Sequence, residues 1–204
     1  MKTYLYKNDI PKSLNIKNSV AIDTETMGLN PMRDRLCLVQ LSTGNNICHI
    51  VQYNKQTKIK SPNLVKILKN KKILKIFHYA RFDVAILNHN LNTQINSIYC
   101  TKIASKISRT FTDKHGLKDL CKELLNVEIS KLQQTSYWGT EKLTKEQIKY
   151  AATDVIYLHK IKKILDKMLK TENRTDLANA CFNFINYRAK LDLLGWNNID
   201  IFSH

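Results

Sequence analysis

Residues 20–28 read VAIDTETMG. Val20, Ala21 and Ile22 form the apolar run of a buried strand, and Asp23 and Glu25 follow two residues apart at its end. Side chains alternate between the two faces of a strand, so both carboxylates project to the same side. Two acids on one face repel each other, and a hard cation such as Mg²⁺ or Mn²⁺, which prefers oxygen ligands, relieves that repulsion.

Outward from this stretch, residues 19–24 (SVAIDT), 36–42 (LCLVQLS) and 47–52 (ICHIVQ) read as a three-strand meander separated by turn-prone GLNPMRD and TGNN. Residues 62–70 read as a helix opened by Ser61-Pro62, 72–77 as a strand, and 81–88 as a helix carrying Phe82, Ala85 and Ile86. A short strand over 97–100 leads into 101–108. Residues 116–125 place Leu117, Leu120, Cys121, Leu124 and Leu125 on one helical face. TKEQ at 144–147 matches a capping box and predicts one long central helix to about Lys170, followed by a helical stretch near 174–188. Strands alternating with helices predict an α/β fold, a mixed central sheet flanked by helices. No repeat or linker divides it, so the reading is a single domain with a core over about 18–170 and a helical extension over about 171–204.

The chain has 204 residues, 33 Lys plus Arg against 17 Asp plus Glu, and a net charge of +16. That excess suits a polyanion such as nucleic acid, whose counterions clustered cations displace. Lys outnumbers Arg 27 to 6 amid many Asn and Ile, a pattern that AT-rich coding alone also produces. Cys37, Cys48, Cys100, Cys121 and Cys181 show no metal-ligand spacing and read as free thiols of a reducing, cytoplasmic compartment. No stretch approaches the roughly 18 apolar residues of a membrane span, so no membrane partner is expected.

Acids are scarce, yet two more sit in apolar surroundings: Asp83 in KIFHYARFDVAIL and Asp154 in YAATDVIYL. Burying a charge there is costly unless a cation compensates it. Tyr150 and Asp154 are spaced i and i+4, which puts phenol and carboxylate on one helical face, within reach of one metal-bound water. Each acid taken alone also reads as a cap, a solvated turn or a partner for one of the many lysines; the four together with the tyrosine point to a metal site.

Asp23-Thr24-Glu25-Thr26 after a strand, Asp83 after a strand and turn, and Tyr150-x-x-x-Asp154 on a late helix resemble the three exonuclease motifs of the DEDD superfamily. The tyrosine marks its ribonuclease D-like branch; the oligoribonuclease-like branch has a His where Lys149 stands here. The resemblance extends over nearly the whole chain to the short nanoRNase C family, through CTKIASKISRTFTDKHGLKDLCKELL, ISKLQQTSYW and LDLLGWNNIDIF. It implies an RNase H-like (DnaQ-like) fold and a metal-dependent 3′-5′ exonuclease that hydrolyses phosphodiester bonds and releases nucleoside 5′-monophosphates.

The resemblance further implies two divalent cations, Mg²⁺ or Mn²⁺, that clamp the scissile phosphate. Asp23 would bridge them, Glu25 and Asp154 complete the site of the attacking water, Asp83 support the leaving-group cation, and Tyr150 orient the water. A reference pKa near 10 makes orientation the natural task for a tyrosine beside such a cation. Met27, Gly28 and Leu29 would lie against the terminal nucleotide, or form an ordinary strand-exit turn. His78 stands where the superfamily usually has Asn and reads as a substrate contact or as packing. Arg81, Arg109, Lys102 and Lys114 each read as solvated basic surface or as phosphate contacts, with Arg81 and Arg109 the candidates for binding substrate. Tyr137 and Trp138 fit base stacking and core packing equally. His49, His89, His115 and His159 read as structural. The expected partners are short RNA and DNA 3′ ends and further copies of the chain, up to a ring octamer, because about 34 residues after Lys170 are too few for an accessory nucleic-acid-binding domain. The same residues are compatible with an RNase H-like endonuclease, an RNA 3′-end-processing ribonuclease D, or a non-catalytic binding scaffold.

Overall fold

A computed structural model of the chain describes residues 1–54 and 59–204. The apolar runs pair into a six-stranded sheet built from β1 (Lys2–Lys7), β2 (Ser19–Thr26), β3 (Leu36–Ser42), β4 (Ile47–Gln52), β5 (Leu74–Phe77) and β6 (Ile98–Cys100). Their order is β1-β4-β3-β2-β5-β6. The β2-β3-β4 meander is antiparallel, and β1, β5 and β6 add in parallel at its flanks, so the sheet is mixed. β3 is buried along its whole length, which explains its near-continuous apolar sequence.

The seven helices among the described residues are α1 (Pro62–Lys69), α2 (Ala80–Leu91), α3 (Thr101–Ser108), α4 (Leu117–Leu125), α5 (Lys145–Ile156), α6 (Leu158–Thr171) and α7 (Thr175–Leu193). α5 crosses β2, β3 and β4, while α6 packs on α3, α4 and β5. The capping box forms: the Gln147 amide N–H donates to Thr144 Oγ1 (3.1 Å), and the Thr144 N–H donates to Gln147 Oε1 (2.9 Å).

Two features differ from the sequence reading. β1 is an additional strand at the sheet edge; its residues are exposed or half-buried, so it lacks the apolar signature of a buried strand. The single helix expected over 144–170 is two helices meeting at Tyr157. The break lets α5 lie over the β2-β4 side of the sheet while α6 follows α3 and α4. None of the helices is long and apolar enough to cross a membrane.

Candidate active site

β2 supplies the first two acids. Asp23 pairs across to Gln40 and Glu25 to Leu38, after which the register slips and Thr26 pairs with Leu36. Such an irregularity beside a site re-aims the strand as it exits. α5 supplies Tyr150 and Asp154 from the facing layer. The carboxylates of Asp23, Glu25 and Asp154 each bring an oxygen within 4.8 Å of the others, on the floor of a cleft of about 580 Å³.

Asp83 lies in the first turn of α2 and is almost fully buried. It stands outside the three-acid group. Thr24, between the two β2 acids, points to the other side of the strand, and its hydroxyl donates to Asp83 Oδ1 (2.6 Å). Asp83 is close enough for its charge to be felt at Asp23 and Asp154.

Burial is the main cause that raises all four acids, and mutual repulsion adds to it at Asp23, Glu25 and Asp154. Asp23 is held well above the usual carboxylate range, Glu25 is pushed up to about 9, and Asp83 and Asp154 to about 7. The Tyr150 hydroxyl hydrogen-bonds Asp154, and Lys131 across the cleft also favours its charged form. Among the described residues none of the four acids forms an ion pair. An all-oxygen donor set, half-buried, self-repelling and without an ion-pair partner among the described residues, fits a hard divalent cation.

Tyr150 lines the cleft beside Asp154; burial and the surrounding carboxylates push its phenol well above the ordinary tyrosine value, so it stays protonated. The buried Trp138 ring sits 5.9 Å from the Tyr150 ring, tilted by 35°, and fixes its orientation. Met27, Gly28, Leu29 and His78 also line the cleft. A Cβ at Gly28 would come within 2.2 Å of Asp34 Oδ2, so a larger residue here requires the Asp34 carboxylate to shift. Leu29 is 86% exposed, an apolar side chain standing free at the rim. His78 shares a hydrogen bond with Thr101 Oγ1 (2.9 Å), and burial, with Lys102 and Lys131 nearby, pushes it down to about 3; it is a neutral ring at any physiological pH.

The two arginines correct the sequence expectation. Arg109 does not line the cleft: it is 1% exposed, and its guanidinium donates to Ser105 Oγ, the Lys114 carbonyl and Glu123. Arg81 points into a neighbouring cleft of about 620 Å³, where it grips Asp192 of α7 through two bonds of 2.6 and 2.7 Å and also donates to the Asn197 carbonyl. Each guanidinium is committed to a partner that its local sequence does not reveal. Arg109→Ala is therefore expected to lower stability by roughly 2–3 kcal/mol, by emptying the buried space of the guanidinium and removing its bonds to Ser105, Lys114 and Glu123, while leaving substrate affinity unchanged. Thermal melting and a KM measurement on the same variant check both halves.

Two cleft residues escaped the sequence reading. Lys131, on the connection between α4 and α5, has nothing in its local sequence to separate it from the other lysines. Tyr79, which precedes α2, takes the left-handed conformation (φ 69°) and carries the Lys102 ammonium 4.4 Å from its ring centre. A non-glycine residue held in that region beside a site is the kind of strain found at functional positions.

Residues 4–170 match the family model described as 3′-5′ exonuclease. The structure of Brucella melitensis NrnC with bound Mg²⁺ is 49% identical and superimposes with a TM-score of 0.95 over 100% of both chains. The same protein bound to pGG is 50% identical with a TM-score of 0.96, covering 100% of this chain and 99% of that one. Ribonuclease D of Bartonella henselae is 28% identical over 178 residues, which is 86% of this chain and 43% of that protein. The chain thus spans less than half the length of that curated relative.

Proposed function

The chain belongs to the 3′-5′ exonuclease family, in its ribonuclease D-like branch, and from that premise we propose that it is a metal-dependent 3′-5′ exoribonuclease acting on short RNA, dinucleotides included. The observation that carries this reading is the convergence of Asp23, Glu25 and Asp154 on one point of a cleft, with no lysine or arginine among the described residues paired to them. The likeness to the Mg²⁺-bound and pGG-bound NrnC structures over the full chain supports the cofactor and the short substrate.

Asp23, Glu25 and Asp154 would hold the divalent metal, Mg²⁺ or Mn²⁺, with Asp83, bonded to Thr24, supporting the site from the far side of β2. When bound, a pair of such cations supplies the positive charge that makes water nucleophilic near neutral pH and stabilises the departing 3′ oxygen. Tyr150 keeps its proton and aims the attacking water through its hydroxyl, anchored by Asp154 and by the Trp138 ring. Leu29 at the rim packs on a base, the Met27-Gly28 backbone lies along the terminal nucleotide, and neutral His78 exchanges a hydrogen bond with sugar or phosphate rather than acting as a cation. The products are nucleoside 5′-monophosphates.

The reading includes a homo-oligomer, a ring octamer in its fullest form, and a cytoplasmic location in which the five cysteines remain thiols. The exposed Trp196, Ile199 and Phe202 near the C-terminus suit contacts between copies. Labelled RNA from two nucleotides upward, with DNA counterparts, tests the substrate class. Turnover is expected to be highest for the dinucleotide and to fall with length; a rate that rises with length contradicts the short-substrate assignment.

A further inference from the structure

Gln40 stands in the middle of β3, fully buried, and neither its Oε1 nor its Nε2 has a hydrogen-bond partner. A buried amide left in that state is unfavourable, and in native proteins such groups pair with something. Register sets a carboxylate beside it. Gln40 is directly opposite Asp23, so the two side chains share one face of the sheet with Cβ atoms about 4.5–5.5 Å apart. The length of a glutamine side chain spans that gap. The other uncharged polar side chains on this face are committed: Gln52 donates to the Thr140 carbonyl (2.8 Å) and accepts from Lys7 Nζ (2.6 Å), and Ser42 donates to the Ile47 carbonyl (2.7 Å). Ala151, Ala152 and Val155 of α5, which lies across these strands, offer no side-chain partner. Asp23, in turn, has no side-chain donor among the described residues. Gln40 is absent from the cleft lining, so it approaches Asp23 from behind, away from substrate.

We propose, on the footing of the exonuclease reading, that Gln40 is a positioning residue for the metal site: with a divalent cation in place its Nε2–H donates to the Asp23 carboxylate and fixes the orientation in which that carboxylate binds metal. Groups placed behind a ligand in this way set its geometry and tune metal affinity. Removing the amide leaves the cleft and the four acids intact but lets Asp23 turn.

Gln40→Met preserves length and volume without a donor; Gln40→Asn preserves the amide but shortens its reach. Mg²⁺ and Mn²⁺ affinity is read by calorimetry and by the metal-induced rise in melting temperature, and kcat at saturating metal is read separately. Gln40→Met is expected to melt no lower than wild type without metal and to need about tenfold more metal for half-saturation, the scale of one hydrogen bond to a charged group. Gln40→Asn is expected to shift in the same direction. Unchanged metal affinity in both variants, with wild type binding normally, overturns the role of Gln40. Wild type that binds neither metal overturns the exonuclease reading and this inference with it.

Discussion

Asp23→Asn is expected to lower turnover on the order of 10³-fold or more while making the metal-free protein more stable. Both effects follow from the same geometry. Asp23 sits half-buried beside Glu25, Asp83 and Asp154, whose charges all oppose its ionisation, and among the described residues no lysine or arginine pairs with it. Neutralising it removes repulsion from the empty site and a ligand from the loaded one. An ordinary structural aspartate behaves in the opposite way, because losing it costs stability and spares turnover. Melting curves with and without Mg²⁺, alongside kcat, separate the two cases.

The pH dependence follows with a fixed sign. The folded values of Asp83 and Asp154 are raised to about 7 and that of Glu25 to about 9, while the unfolded chain has ordinary carboxylates near 4. Across that window the folded state binds more protons than the unfolded one, so metal-free stability falls as pH rises. The contribution is fully present below about pH 4 and is lost as pH climbs through 7 and then 9. Saturating Mg²⁺ compensates the charged carboxylates, so the slope should flatten when metal is added and return with a chelator.

Tyr150→Phe is the second large effect, an expected fall in kcat of about 100-fold or more with metal affinity nearly unchanged. The phenyl ring keeps its packing against Trp138, 5.9 Å away between ring centres, so the fold of α5 is retained. What disappears is the hydroxyl that bonds Asp154 and aims the water. Because burial and nearby acids hold that phenol protonated, the variant's pH-rate profile should keep the wild-type shape at lower amplitude. A parallel loss of metal binding would make Tyr150 a scaffold for Asp154 instead.

The parts of the molecule legible in the sequence are those governed by local periodicity. β3 and β4 carry continuous apolar runs because they are buried, and their observed bounds match that reading. Asp23 and Glu25 share a face through the strand period of two, and Tyr150 and Asp154 through the helical i, i+4 spacing. What the sequence leaves obscure depends on contacts between distant residues. β1 is recognisable only from its pairing with β4, and the break at Tyr157 reflects the different neighbours of α5 and α6. Asp83 is held by Thr24, 59 positions away, and Arg81 by Asp192, 111 positions away. In the sequence Arg81 and Arg109 read either as solvated basic surface or as phosphate contacts; only the fold shows which carboxylates claim them. Gln40 looked like any polar residue in a strand until its register set it against Asp23.

The most direct measurement incubates the purified protein with Mg²⁺ and 5′-labelled short RNA beside a circular RNA of the same sequence, with chelator and Asp154→Ala controls. The account predicts stepwise loss of nucleoside 5′-monophosphates from the 3′ end, an intact circle, and no product in either control. Cleavage of the circle, or product formation that survives the chelator or the Asp154→Ala substitution, would contradict it.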